Sequence, residues 1–314
     1  MTAKIILNPY AGRWKGLQKR PQVENALRMA GISYELVLTE SPGHGTQLAY
    51  QAVKDGFVPI ISAGGDGSAS EVMNGIVRAA QELQAEPVPL GVLPLGSAND
   101  LMVNLGIPTT IPEAAQIIAS GYTRHIDLGE VTAWDVEHKE HKKTYFDNNS
   151  AIGLEPSITL IQQRISWLRG SLRYVLAALL GVFQNPQWTM HLEWEGGDYT
   201  GPVTLVTAGN NPLTGGVFYM APHADPYDGK LDCVYGFLPT RLQILRLLPR
   251  TMKPTQGNYV EHAAIHEIRV TWLRIHTDQP TPLHADGEIQ FTATQDVEYH
   301  LLPSYLPVFM HAPG

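Results

Sequence analysis

Three glycine-rich turns have the residue types and spacing for phosphate chemistry: NPYAGRWKG (8–16), SAGGDGSASE (62–71) and PLGSAND (94–100). Each follows a short apolar run, KIIL, VPII and LGVL. Glycine lets backbone amides come close to phosphate oxygens, and a helix start adds partial positive charge. Ser68 and Ser97 offer hydroxyl donors, and Asp66 offers a carboxylate positioned for Mg²⁺ or its waters. None of the three is a GxxxxGK[ST] loop or a GxGxxG fingerprint, so the standard nucleotide motifs are absent. Taken singly, each loop also fits an ordinary strand-to-helix turn. Three in one stretch, one of them acidic, point to a nucleotide or phosphate site, and the residues alone go no further.

The elements that must position these turns alternate along the first 130 or so residues. KIIL (4–7), YELVL (34–38), VPIIS (58–62) and LGVLPLG (90–96) read as short strands. Helices are expected around 18–30, over TQLAYQAVKDG (46–56), and after GGDG, where Val72, Met73, Ile76, Val77 and Ala80 form one stripe. PEAAQIIASG (112–121) reads as another helix. Such alternation predicts an α/β domain with a doubly wound, mostly parallel sheet. Ligands of such sheets bind beyond the carboxyl ends of the strands, where the three turns lie.

From about 129 the texture changes. GEVTAWDVEHKEHKKTYFDNNSAIG reads as two strands around a polar hairpin tip at 138–143, and further strand-like runs follow to the C-terminus. Helical character is confined to 158–183 and 240–248. This half is expected to be a β-rich, antiparallel, sandwich-like domain, with the boundary near 128.

Composition sets outer limits. A formal net charge of −8 argues against general nucleic-acid binding. The single cysteine, Cys233, rules out an internal disulfide framework and reads as a small buried hydrophobe in LDCVYGF. MTAKIILNPY lacks the features of a signal peptide, and YVLAALLGVF (174–183) is well short of the roughly 20 apolar residues of a membrane span. The expected location is the cytoplasm, with any membrane contact made from its inner surface. His262 and His266 have the i, i+4 spacing of a helical metal pair, but no third ligand accompanies them.

GGDGSASEVMNG resembles the GGDGTxNEVxNG signature of the diacylglycerol kinase catalytic domain. That family includes bacterial soluble lipid kinases and sphingosine kinases and is distantly similar to NAD kinases and phosphofructokinases. NPYAG resembles its NPxxG loop, PLGSANDL its P-x-GTxNDxA segment, and RHIDLGEV its strand leading into a second domain. FDNNSAIGLEPSI resembles FxNxAGxGxDAxV, GNNPLTGGVFYMAPHADPYDGKLD resembles GGGxxxxPxAxxxDGxLD, and ADGE (285–288) resembles the family's DGE. The matches run in family order across nearly the whole chain.

The resemblance implies an N-terminal nucleotide domain (1–128), a β-rich lipid domain (129–300), a return of about 301–314 to the first domain, and an active site in the cleft. It implies ATP on Asn8, Gly12, Thr39, the loop Gly64, Gly65, Asp66, Gly67, Ser68, Ala69, Ser70 and Glu71, and on Ser97. It makes Asp286 or Glu288 the general base and places a structural Mg²⁺ on Asp228 with backbone oxygens of Asp225 and Lys230. Ser68 and Ser97 stand where the family has threonine, keeping the hydroxyl, and Ser70 replaces its asparagine. Ser150 and Leu154–Glu155 depart from the pattern near the lipid pocket.

The chemistry implied is ATP- and Mg²⁺-dependent phosphoryl transfer to a lipid hydroxyl, with Asp66, Asp286 and Glu288 as the catalytic carboxylates. If 286–288 is extended, Asp286 and Glu288 share a side, one for metal and one for the proton; the alternative is a D-G turn with a solvated glutamate. Two acid-free segments, 162–183 and 238–254, mix arginines with leucines and aromatics. They fit either a peripheral membrane contact or core-packed helices. A kinase of a soluble acceptor and a nucleotide-binding regulator without turnover are the rival functions. The identity of the lipid, ATP against GTP, and the oligomeric state, a homodimer among the options, stay open.

Overall fold

A computed structural model describes residues 2–165, 171–184 and 187–312. The chain forms two compact units: Met1–Leu128 with Pro303–Gly314, and Gly129–Leu302.

The first unit is built on β1 (Ala3–Leu7), β2 (Tyr34–Leu38), β3 (Ile60–Gly64) and β4 (Leu90–Pro94). They run parallel in the order β2–β1–β3–β4, with Ile5 opposite both Leu36 and Ile61. β3 and β4 are buried throughout. That is why they read as continuous apolar runs instead of alternating patterns. Helices α1 (Gly16–Met29), α2 (His44–Lys54), α3 (Asp66–Leu83), α4 (Asp100–Asn104) and α5 (Ile111–Ser120) follow the strands. The apolar stripe of α3 is buried from Val72 to Ala80. α2 and α3 approach closely at Gly75, where an added Cβ would lie 2.4 Å from the Thr46 carbonyl and 2.6 Å from Ala49 Cβ. The chain returns at the C-terminus to add a further parallel strand, pairing Val308 with Leu90. The Asp127 carboxylate accepts the Ser304 amide at 2.6 Å and fixes that return.

The second unit is antiparallel. β5 (Thr123–Asp135) carries the chain into it and forms a hairpin with β6 (Glu140–Phe146), its tip at 136–139. β7 (Asn149–Gly153) leads to α6 (Leu154–Arg164) and α7 (Ser171–Gln184). Then come β8 (Trp188–Trp194), β9 (Gly197–Val203), β10 (Leu205–Gly209) and the two-residue strands β11 (Leu213–Thr214) and β12 (Phe218–Tyr219). β13 (Leu231–Gly236), α8 (Arg241–Leu247), β14 (Ile265–Val270), β15 (Trp272–Ala285) and β16 (Glu288–Phe309) complete the chain.

β15 belongs to two neighbourhoods: residues 273–277 pair with β8, and 283–285 pair with β7, beyond which lie β10, β13 and β14. One core, including Phe146, Ile152, Met190, Cys233, Leu283 and Tyr299, fills the sandwich. Another, including Leu154, Val234, Ile244, Leu247 and Tyr259, seats the helices. Burial in the first core pushes the Cys233 thiol pKa far up, as befits an inert hydrophobe. His262 and His266 lie on no helix: His262 ends a short 3₁₀ turn, and His266 in β14 stacks on Tyr235 at 5.1 Å.

Candidate active site

The first unit gathers the glycine turns at the carboxyl ends of its strands. Asn8, just after β1, accepts the Tyr10 amide on its own side-chain oxygen at 2.9 Å and donates Nδ2 to Ser68 Oγ at 2.9 Å. This ties the first loop to the start of α3. Gly12 has φ +60°, and an added Cβ would lie 2.4 Å from the Leu95 carbonyl, so the first loop rests directly on the third. At Gly96 an added Cβ would meet the Gly65 Cα at 2.5 Å. The ends of β3 and β4 therefore touch backbone to backbone, with the Ser68 side chain seated over Gly64 and the Asn99 carboxamide against Gly96. That is the construction an anion cradle needs.

The expected 62–71 loop is shorter than its sequence suggests. Only Gly65 separates β3 from α3, and Asp66 already lies in the helix. This sorts the expected ligand residues by helical position. Gly65, Gly67 and Ser68 are half-buried at the open end, while Gly64 at the end of β3 and Ala69 and Ser70 in the helix are buried. Glu71 faces α2, where its carboxylate accepts the amides of Gly43 at 2.7 Å and Gly45 at 2.9 Å. It caps the helix that follows Thr39, and Thr39 itself is buried with its amide bonded to the Leu7 carbonyl. Ser97 is exposed on the third loop.

Asp66 is also engaged. Its carboxylate accepts the Asn99 amide at 2.9 Å, with Asp100 and Leu101 amides also donating. It thereby caps α4 and locks the third loop against the second. Burial raises its pKa, and these amides together with its own pull it part of the way back.

In the second unit the DGE segment is not extended, which corrects the expectation that Asp286 and Glu288 share a strand face. Asp286 (φ +48°) and Gly287 (φ +77°) form the two-residue turn between β15 and β16, with Ala285 paired to Glu288. Left-handed φ at both central residues is what a tight hairpin demands, and Asp-Gly supplies it at little cost. The Asp286 carboxylate accepts the Asn148 amide at 3.0 Å and the Asp147 amide at 3.3 Å, while its own amide donates to the Asn149 carbonyl at 2.8 Å. Asp286 is half-buried, and Glu288 is exposed.

Sequence reading passed over the asparagines behind this turn. Asn210 and Asn211 each donate Nδ2 to the Asp147 carbonyl at 2.8 Å, and their amides donate to the Asn148 carbonyl. Asn148 Nδ2 reaches the Leu213 carbonyl at 2.9 Å. The signal lay in the doublets of FDNNSAIG and AGNN: carboxamides in otherwise apolar runs must be hydrogen-bonded. His284, fully buried two residues before Asp286, was also missed.

The expected structural metal residues are engaged within the chain itself. Asp228 Oδ1 accepts the Lys230 amide at 2.9 Å, and Oδ2 is taken by the Arg269 guanidinium. The Asp225 carbonyl lies 3.4 Å from the Asp228 amide. Arg269 is the cross-strand partner of the fully buried Asp232, with 3.7 Å between charged atoms, so a fixed positive charge already stands there. Among the described residues no group of three or more His, Cys, Asp or Glu side chains is arranged to hold a metal.

Comparison with known proteins agrees with this layout. Residues 2–131 match the family model of the diacylglycerol kinase catalytic domain, and residues 149–310 that of the YegS C-terminal NAD kinase beta sandwich-like domain. A protein of Chromohalobacter salexigens named "Probable lipid kinase YegS-like" is 30% identical over 287 residues, 90% of this chain and 86% of that one. A diacylglycerol kinase of Mycobacterium tuberculosis is 27% identical over 313 residues, 98% of this chain and 95% of that one. Among solved structures, a diacylglycerol kinase from Bacillus anthracis shares the fold with a TM-score of 0.73 at 19% identity, covering 99% of this chain and 96% of that one. Yeast NADH kinase shares it more loosely, with a TM-score of 0.53 at 10% identity, covering 100% and 84%. Two family models meeting in one chain, in the order its two units take, lead to one conclusion: the chain belongs to the diacylglycerol kinase catalytic-domain family of lipid kinases.

Proposed function

We propose that this protein transfers the γ-phosphoryl group of ATP to a hydroxyl of diacylglycerol or a related lipid, with Mg²⁺. The observation that carries the reading is the close backbone approach of the three glycine turns, Gly12 on Leu95 and Gly96 on Gly65, with Asn8 and Ser68 bonded across it. Phosphoryl transfer asks a protein for positioning and charge stabilisation more than for covalent help. The cradle offers both through glycine backbone gathered at the strand ends and the Asn8 and Ser68 side chains beside it. Glu71 and Asp66 act one step back, holding the Thr39 and Ser97 segments at its edge.

The second unit supplies the proton acceptor. Asp286 is fixed by two backbone amides and takes the proton of the lipid hydroxyl as the new O–P bond forms. Glu288, exposed at the same hairpin, is the hard oxygen donor that fits Mg²⁺, a cation that keeps most of its waters. The chemistry Mg²⁺ supplies when bound is neutralisation of phosphate charge.

A lipid acceptor also calls for a surface contact. On α7, Leu180 and Phe183 are exposed, and on and after α8 so are Leu242 and Met252, beside exposed Arg241, Arg246 and Lys253. Apolar side chains amid cations suit the inner, anionic face of a membrane. Arg250 is not among these cations, because its guanidinium holds the Gly257 and Asn258 carbonyls. Trp167, Leu168 and Arg169 of the expected contact lie outside the described residues, as do the side chains of Arg164, Arg173 and Tyr174. Among the described residues no helix is long and apolar enough to cross a membrane.

The test is transfer of ³²P from γ-labelled ATP to a panel of lipid alcohols in mixed micelles, with Asp286→Ala beside wild type. Label in a lipid, lost in the variant, is the expected result. No label in any lipid, with ATP still bound, overturns the reading in favour of a soluble acceptor or a binding protein. Failure of anionic liposomes to bind the protein would remove the surface contact alone.

A further inference from the structure

Behind the Asp286 turn, on the helix-bearing side of the sheet, lies a buried pair that the proposed chemistry does not use. His284 is 1% exposed, and its Nε2 lies 3.0 Å from Oε1 of Glu155, the second residue of α6. Glu155 is held in turn by Thr207 Oγ1 at 2.7 Å and Asn149 Nδ2 at 2.9 Å. Burial alone would raise the Glu155 pKa, but His284 and these two donors outweigh it and hold it below the usual range. The contact is a charge-pair distance without an aligned hydrogen bond, and a carboxylate this near favours a proton on Nε2. The other ring nitrogen faces the opposite way: Nδ1 accepts the Gly287 amide at 3.4 Å, long for such a bond but pointing into the turn. The His284 carbonyl is meanwhile fixed by Ser150 Oγ at 2.6 Å.

The backbone around His284 is irregular in a way that serves this contact. Leu283 pairs with Phe291 but His284 with Ile289, so Gln290 is an extra residue in β16. A bulge of this kind re-aims side chains and recurs beside active sites. Asp286, a non-glycine residue in the left-handed region, gains from every outside tie on the turn. Three such ties are Asn148 and Asp147 on its carboxylate and Asn149 on its amide. His284 is the tie on Gly287. Asn149 joins the two halves, since its side chain donates to Glu155 and its carbonyl accepts from Asp286.

We propose that Glu155 and His284 are positioning residues for the phosphoryl-transfer step: Glu155 holds His284 as the Nε2–H tautomer, whose Nδ1 then anchors the Gly287 amide and fixes the turn that presents Asp286. This rests on the reading of Asp286 as the proton acceptor. Neither side chain touches a substrate in this scheme.

Three variants of the full chain separate the roles. Glu155→Gln presents an amide donor to Nε2, moves the ring proton to Nδ1 and sets it against the Gly287 N–H. His284→Gln keeps a donor toward Glu155 but loses the acceptor for Gly287. His284→Asn keeps an acceptor near the position of Nδ1. With whichever lipid takes label in the transfer assay, Glu155→Gln and His284→Gln are expected to lower kcat by about 10–100-fold with the KM for ATP unchanged. His284→Asn should retain most of kcat. Equal losses in both His284 variants would overturn the proposal, as would a Glu155→Gln variant that raises the lipid KM at unchanged kcat. If Glu155→Gln does not fold, the contrast at 284 decides alone. ¹⁵N-histidine NMR reads the tautomer without any turnover, with His284 assigned by its loss in His284→Asn. Nε2–H in wild type and Nδ1–H in Glu155→Gln support the proposal even if no lipid is phosphorylated; Nδ1–H in wild type overturns it.

Discussion

Asp66 and Asp286 meet the same kind of partner, backbone amides from a distant stretch of chain, and yet they end in different conditions. Asp66 takes amides from Asn99, Asp100 and Leu101 in a largely buried setting, so its oxygens work as a helix cap. Asp286 takes two amides at a half-exposed hairpin tip. The two amides orient the carboxylate at the tip. The contrast teaches that an acidic residue in a glycine motif can serve by shaping the loop, while a carboxylate at a hairpin tip stays nearer to solvent.

The largest effect that bears on this contrast should come from Asp286→Ala: turnover down by about 10²–10⁴-fold, with about 1–3 kcal/mol of stability lost because the Asp147 and Asn148 amides lose their acceptor. Retained turnover would strip Asp286 of its role. Next is Gly96→Ala, whose Cβ would lie 2.5 Å from Gly65 Cα and 2.7 Å from Asn99 Oδ1. Urea denaturation should show a loss of about 1–3 kcal/mol, and calorimetry a weakened ATP affinity. Asp66→Asn sharpens the comparison. As a cap it should cost about 1–2 kcal/mol of stability and raise the KM for ATP more than it lowers kcat. A kcat loss matching Asp286→Ala would instead make Asp66 a direct participant.

The smallest effect concerns pH and Asp232, pushed up to about 6 from 3.8 mainly by burial, partly offset by Arg269. The folded state therefore binds its proton more tightly than the unfolded state does. Stability is fully present below about pH 4 and is lost as pH rises to about 6, after which this contribution is flat. Asp232→Asn should flatten the midpoint-versus-pH curve across that window, and an unchanged slope would show that the carboxyl titrates normally.

Much of the first unit was legible because its signals are local. A strand buried on both faces must be apolar, and a turn that sets backbone against backbone must be glycine, so β3, β4, Gly65 and Gly96 are visible in one dimension. The β5–β6 hairpin was visible because charge clusters must reach solvent, but its tip falls at 136–139, and residues 140–143 of the expected tip are paired in β6. The roles of Glu71 and Asp66 were not visible. Both stand in a motif that reads as ligand-binding, and only the packing of α3 turns one toward the Gly43 and Gly45 amides and the other toward Asn99. The extended reading of 286–288 failed because Asp-Gly is a hairpin turn whenever its flanking strands pair, and pairing is a non-local fact.

The order of the motifs, the change from α/β to β-rich texture near 128 and the family itself were determined by the sequence alone, because residue type and spacing carry them. Which carboxylates are spent and which are presented was decided only by the tertiary structure. Asp286 is held by residues 147–149, and His284 by Glu155, contacts that span more than 120 positions of chain. Hydrogen bonds between such distant groups leave no periodicity in sequence. They exist only once the sheet has fixed its register and brought β7, α6 and β15 to one place.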